Sequence, residues 1–186
     1  MKTNFFVLAV YICSIALSFA QQEVKLNTHL SVVNWHGSML FNFGEHYGTV
    51  DFKSGKILKS LGNMVGGEFT IDMNTIKNTD DEYNEDLIRH LKNQDFFEVN
   101  KYPTARLVMT KVEDMNGYIH IDANLTIKEV TKSIHFDGRW ENENHFKTQF
   151  IIDRSEWNIT YGARSLVNVK DHAISDAIEF KVDLYF

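Results

Sequence analysis

Between Ile119 and Ile127 every second residue is apolar: Ile119, Ile121, Ala123, Leu125 and Ile127. Strand side chains point to alternate faces, so this spacing builds one dry face and one wet one. The pattern recurs along the chain. Val33 and Trp35 alternate, as do Val50 and Phe52, then Phe69, Ile71 and Met73. Leu107 and Met109 share a face, as do Ile134 and Phe136, then Phe146, Phe150 and Ile152. Ile178, Phe180, Val182 and Leu184 close the chain, alternating with Glu179, Lys181, Asp183 and Tyr185. A chain so patterned folds mainly as antiparallel strands with one face buried.

The connections agree. Asn116-Gly117 between two alternating runs is a strong hairpin signal. Ser54-Gly55 is a weaker one, Gly48 reads as a turn, and Asn142-Glu143-Asn144 fits a hairpin loop. From Tyr83 to Asn93 the period changes. Leu87, Ile88 and Leu91 fall at helical spacing and should pack inward, with Glu85 and Asp86 ahead of Arg89, His90 and Lys92, as the helix dipole favours. Asp80 or Asn84 could cap this helix. The residues therefore specify about eight to ten antiparallel strands with one short helix inserted midway, all-β as a class. A closed barrel and a sandwich both satisfy that count. No Gly-, Ser- or Pro-rich stretch divides the chain, and the sequence holds one Pro.

The first twenty residues read differently. Lys2 supplies a positive start, Phe5–Leu17 is apolar, and Ser18 and Ala20 are small residues at the spacing of a cleavage site. A signal peptide over residues 1–20 and one domain over 21–186 are expected, with a periplasmic or secreted product. The rival reading, a membrane anchor, needs roughly 20 apolar residues, and the run is shorter. No integral membrane segment is then expected after cleavage. Cys13, the one cysteine, leaves with the peptide, so no disulfide holds the mature domain.

Charge and motif content narrow the function. With 19 basic and 25 acidic residues the chain carries −6, the wrong sign for a nucleic-acid footprint. The eight histidines form no His-x-His or His-x-x-x-His pair, so no metal site is expected. His120 and His135 fall on wet strand faces. No nucleophile elbow, Walker loop or dinucleotide fingerprint is present, so neither an enzyme nor a cofactor is expected. Asp153-Arg154 beside Trp157 reads either as a structural corner or as a cation over a ring near a barrel mouth.

Several segments together resemble the YceI-like family. His90-Leu91-Lys92-Asn93-Gln94-Asp95-Phe96-Phe97 followed by Tyr102-Pro103-Thr104 is similar to the family's central signature. Leu125-Thr126-Ile127-Lys128-Glu129-Val130-Thr131-Lys132 resembles its Leu-Thr-Ile-x-Gly-Val-Thr-Lys segment, with Glu129 in place of Gly. Ile152-Asp153-Arg154-Ser155 matches a third segment, and His29-Leu30-Ser31 sits where the family often has His-Ser. Trp35-His36-Gly37 with His46-Tyr47-Gly48 looks like the branch common in Bacteroidetes-type bacteria.

The resemblance implies a lipocalin-like, eight-stranded antiparallel β-barrel. It also implies an apolar pore for a polyisoprenoid or other long amphiphilic lipid, for transport or storage, often in a homodimer. Strand alternation then makes Val33, Trp35, Phe69, Ile71, Leu107, Ile119, Ile121, Phe136, Phe150 and Phe180 the inward candidates for pore lining. Ile71 and Ile121, near mid-strand, are expected to line the pore itself. His29, Arg154 and Tyr161 are the candidates for head-group contact. Two other readings stand beside this one. A filled barrel could act as a structural or stress-response module that binds protein partners, and a barrel enzyme could act on an isoprenoid or quinone.

Overall fold

The computed structural model describes residues 21–39, 44–80, 84–162 and 174–186. The signal-peptide reading of residues 1–20 lies outside them. The strands are β1 (Gln22–Lys25), β2 (Val32–Met39), β3 (Glu45–Ser60), β4 (Asn63–Asn78), β5 (Thr104–Asp114), β6 (Ile119–Ile127), β7 (Val130–Asn142), β8 (His145–Asp153) and β9 (Ile174–Tyr185). One helix, α1 (Glu85–Lys92), joins β4 to β5, and a 3-10 turn spans Arg154–Trp157.

Strands β2 to β9 form a ring of eight, each antiparallel to both neighbours. The pairing of β3 with β4 closes it, so the fold is a barrel and not a sandwich. The short β1 lies along the far end of β3, with Gln22 opposite Lys59. Closure gives the interior strands paired backbone on both sides, which leaves little edge to protect.

Turn chemistry sets the registers. Asn116 and Gly117 take φ of 57° and 132°, turning β5 into β6 as the dipeptide predicts. Ser54-Gly55 does not turn. It lies inside β3, where the pairing with β4 slips between Phe52 and Ser54. The β3–β4 turn is instead Leu61-Gly62, with φ of 50° and 85°. The β6–β7 turn is Lys128-Glu129, both left-handed at 50° and 62°. Glu129 therefore holds the position where Gly would be unstrained.

Gly48 is not a turn either. It sits in β3 directly opposite Trp35. A Cβ there would lie 2.1 Å from the Lys77 carbonyl oxygen and 2.3 Å from Trp35 Cζ2. Its bare Cα is what lets the indole lie flat on the neighbouring backbone. Gly138 does the same for the Phe146 ring, at 2.3 Å.

Helix α1 forms where the period changed. The Asn84 side-chain oxygen accepts from the Leu87 N–H, and Glu85 and Asp86 occupy the first turn. Ile88 and Leu91 are buried and Leu87 is half-buried, so the helix lays its apolar face on the barrel. The chain after it is stitched back by backbone bonds from Phe97 N–H to Leu91 O and from Val99 N–H to Lys92 O. No helix among the described residues is long and apolar enough to cross a membrane.

A candidate lipid cavity under the helix

The barrel is hollow beneath α1. A cavity of about 600 Å³ lies there, walled by residues of all eight ring strands, with α1 and the connecting segments completing the wall. Trp35 of β2, Phe180 of β9, Phe150 of β8 and Phe136 of β7 supply an aromatic belt across four consecutive strands. Phe180 is opposite Trp35 and Phe150 opposite Phe180 in the strand register. The Phe136 and Phe150 rings stack at 4.9 Å, and Phe150 and Phe180 lie 5.4 Å apart. Phe69, Ile71, Met73 and Ile76 of β4 face this belt's cavity from the helix side, with Leu87, Leu91, Phe96 and Phe97 above.

Of the ten pore-lining candidates, Val33, Trp35, Phe69, Ile71, Leu107, Phe136, Phe150 and Phe180 line the cavity. Ile119 and Ile121 do not. Ile121 has no exposed surface at all and is locked between Val112 and Phe136 in the register. It belongs to solid core, because the larger Phe136 beside it reaches the cavity first. Ile119, two residues further from the mouth, is half-buried against the same packing. The barrel is thus hollow toward α1 and filled beyond, where Ile57, Met64 and Ala123 are also buried without reaching the void.

The three polar candidates part ways. His29 is exposed in the turn after β1, its N–H bonded to Asn27 Oδ1, and takes no part in the wall. Arg154 and Tyr161 do line the cavity. Arg154 is fully buried. Its Nε donates to Ser175 O at 3.1 Å and its Nη1 to Ile159 O at 2.7 Å, while Nη2 lies 3.2 Å from Asp176 Oδ1. Its guanidinium sits 5.4 Å from the Phe96 ring centre and pairs with Asp176, so the corner reading describes it. The ring and the carboxylate are not the Trp157 and Asp153 beside it in sequence. Burial pushes its pKa down, against the opposing pull of Asp176 and Asp153. Asp153 caps the 3-10 turn, and Trp157 beside it is buried with its Nε1 donating to Leu125 O.

Five polar residues of the wall were not among the sequence candidates: Ser38, His46, His90, Thr148 and Ser175. His46 Nδ1 is 2.7 Å from Asp80 Oδ2, and Asp80 Oδ1 also accepts from the Tyr47 N–H. Burial alone would raise the Asp80 pKa, but the bonds from His46, the Tyr47 N–H and Asn78 hold it below the usual carboxylate value. The His90 ring stands edge-on to Tyr161 at 4.3 Å and to Phe96 at 5.0 Å. His46 on a strand of mixed pattern carried no signal; His90 sits one residue before buried Leu91, which was a usable one. Phe96 and Phe97 stand in the quoted helix signature, and Met73 and Met109 on faces already read as apolar.

Comparison with known proteins agrees with this architecture. The barrel superposes on BcnA of Burkholderia cenocepacia with a TM-score of 0.68 at 18% identity, covering 86% of this chain and 98% of that one. A polyisoprenoid-binding domain from Saccharophagus degradans, implicated in plant cell wall breakdown, matches at 0.59 and 16% identity, covering 89% and 98%. The YceI protein of Campylobacter jejuni matches at 0.52 and 18%, covering 98% and 90%. At such identities these likenesses speak for the fold. No curated protein sequence matches significantly. The model of the YceI-like domain, however, matches residues 20–186, essentially the whole of the barrel, and the chain belongs to that family.

Proposed function

We propose that this protein is a lipid-binding barrel that holds a polyisoprenoid-type or similar long amphiphilic chain in the cavity under α1, for transport or storage. The observation that carries the reading is the void itself: about 600 Å³, walled almost wholly by hydrocarbon and aromatic side chains. A space of that size and chemistry suits an apolar guest. At about 25 cal/mol per Å² of apolar surface removed from water, a few prenyl units outweigh the cost of ordering a flexible chain. The polyisoprenoid-binding neighbour from Saccharophagus degradans supports the ligand class. The belt of rings offers an apolar slot, which suits binding.

Export by cleavage after Ala20, into the periplasm or out of the cell, is part of the reading, as is a homodimer. N-terminal sequencing of exported protein and analytical ultracentrifugation test them. The Trp35-His36-Gly37 and His46-Tyr47-Gly48 pair supports placing the chain in the Bacteroidetes-type branch.

Ala105→Trp tests the pocket. Ala105 lines the cavity and is small, so an indole there projects into empty space and not into packed core. The variant should fold and lose a co-purifying or added prenyl lipid in native mass spectrometry. Equal lipid occupancy in variant and parent would sink the proposal. Protein partners captured by a parent barrel that takes up no lipid would favour the module reading instead.

A further inference from the structure

His90 hangs from the last turn of α1 into the cavity wall, its ring edge-on to Tyr161 and Phe96. A neighbour fixes its protonation state. Asn93, the C-cap of the helix, accepts at Oδ1 from the Asp95 N–H at 2.8 Å, which sets the orientation of its amide. Asn93 Nδ2 then faces His90 Nδ1 at 3.4 Å. An amide NH2 donates, so Nδ1 accepts and the ring is neutral, with its proton on Nε2. That Nε2 is buried and has no hydrogen-bond partner. A second proton could go only to Nδ1, where it would point at another N–H. The imidazolium would then lack an acceptor on both nitrogens, inside an apolar wall where an uncompensated charge is costly.

No carboxylate touches the ring among the described residues. Phe96 carries Arg154 over its ring, and its carbonyl accepts from Lys128 Nζ. Asp176 is paired with Arg154, and the other wall histidine, His46, is paired with Asp80. On α1 itself Asp86, one turn before His90, is exposed and bonded to Arg89, while Lys92 donates to Asn74 O. Asp95 and Glu98 line a separate surface hollow with Lys92 and Lys101. Strand β4, against which the helix packs, brings the uncharged Met73 and Ile76 to the same wall.

We propose that His90 is an acid-sensitive latch on the roof of the cavity. With the roof closed the ring stays neutral. With the roof lifted, water solvates both nitrogens and the ring takes up a proton. The open form binds the proton better, so a fall in pH through the range in which histidine charges shifts the balance toward opening. Asn93 passes the strain to the segment it caps. The bonds from Phe97 N–H to Leu91 O and from Val99 N–H to Lys92 O hold that end of the roof, and they open first. The use of the latch, release of a guest in acid surroundings, rests on the lipid-binding reading above; the latch itself does not.

Amide hydrogen exchange of the guest-free protein, corrected for intrinsic rates, tests the latch. From about pH 7.5 to about pH 5, across the histidine range, protection of the Phe97 and Val99 amides should fall at least about fivefold, while the amides of β6 keep theirs. His90→Phe removes the titrating group and should flatten the difference. Asn93→Asp sets a carboxylate against Nδ1, so its protection should rise on acidification instead. Protection indifferent to pH in the parent overturns the inference, as does an equal fall in His90→Phe. If His90→Phe misfolds, a fall in Asn93→Asp as steep as the parent's overturns it just as well. Dissociation of geranylgeranylacetone from the parent should quicken by a similar factor over the same range. A roof that loosens in a protein taking up no geranylgeranylacetone at either pH brings down the lipid-binding reading and keeps the latch. A guest held at both, under a roof indifferent to pH, does the reverse.

Discussion

At the scale of single residues, volume and chemistry separate wall from core. Ile121 and Ile71 are the same residue type on equivalent strand faces, yet one is sealed in packing and the other faces the void. Alternation announced that both point inward. It could not say how far each reaches, because that depends on the neighbour across the strand pair, Phe136 in one case and Ala105 in the other. Ile121→Ala should destabilise the barrel by about 2–5 kcal/mol in urea denaturation, since a close-packed site cannot collapse around the lost methyl groups. A loss below about 1 kcal/mol, the range of a mild trim, would place Ile121 against empty space after all. His90 was the converse case. It was read as a basic residue of the last helical turn and not as wall, although its place beside Leu91 on an amphipathic helix put it under the helix face.

At the scale of elements, the turns and the helix entry carry the strain and the charge. The Lys128-Glu129 turn holds two side chains in left-handed backbone, where a non-glycine residue is disfavoured by about 1–2 kcal/mol. Glu129→Gly should therefore raise the free energy of unfolding by up to about 1 kcal/mol, after the extra chain entropy of Gly is deducted. A fall in the denaturation midpoint would show that Glu129 makes a contact worth more than the strain. The sequence located this turn only through its likeness to a Gly-containing segment; the signals elsewhere were direct, as at Asn116-Gly117. Ser54-Gly55 misled because Gly55 is needed for a different reason: a Cβ there would lie 2.5 Å from Phe69 Cδ1.

Asp80 ties the start of β3 to the end of β4 through His46 and the Tyr47 N–H. Its pKa is depressed in the folded state, so its contribution is fully present above the ordinary carboxylate pKa. That contribution is lost as pH falls through the depressed value. The melting temperature of the parent should drop across this acid window more steeply than that of Asp80→Asn, which does not titrate. Parallel curves for the two proteins would remove Asp80 from the acid response.

At the scale of the whole molecule, about eight to ten antiparallel strands and the single inserted helix were legible from period and turn signals, while the closed ring of eight came from the family resemblance. The split into a hollow half and a filled half was not, because identical apolar stripes serve both. That split makes the barrel a stiff cup: a packed base, and a mouth roofed by α1 and the Phe96–Phe97 segment. A guest that binds only the folded cup shifts the unfolding equilibrium by mass action. Saturating geranylgeranylacetone should raise the melting temperature in a concentration-dependent way, with a negative heat-capacity change of binding from buried apolar surface. A melting temperature indifferent to guest at a hundred times its dissociation constant, where about 2.7 kcal/mol is expected, would show that the guest does not prefer the folded cup to the unfolded chain.

The seating of Trp35 on Gly48 has an optical side. Of the three tryptophans, Trp35 alone lines the cavity, while Trp157 is sealed behind Leu125 and Trp140 packs on Phe146 and Phe186. The protein thus carries one indole whose emission senses the contents of the cup and two that do not. Trp35→Phe would silence the reporter and leave the background, so the difference spectrum of the two proteins is a label-free readout of occupancy.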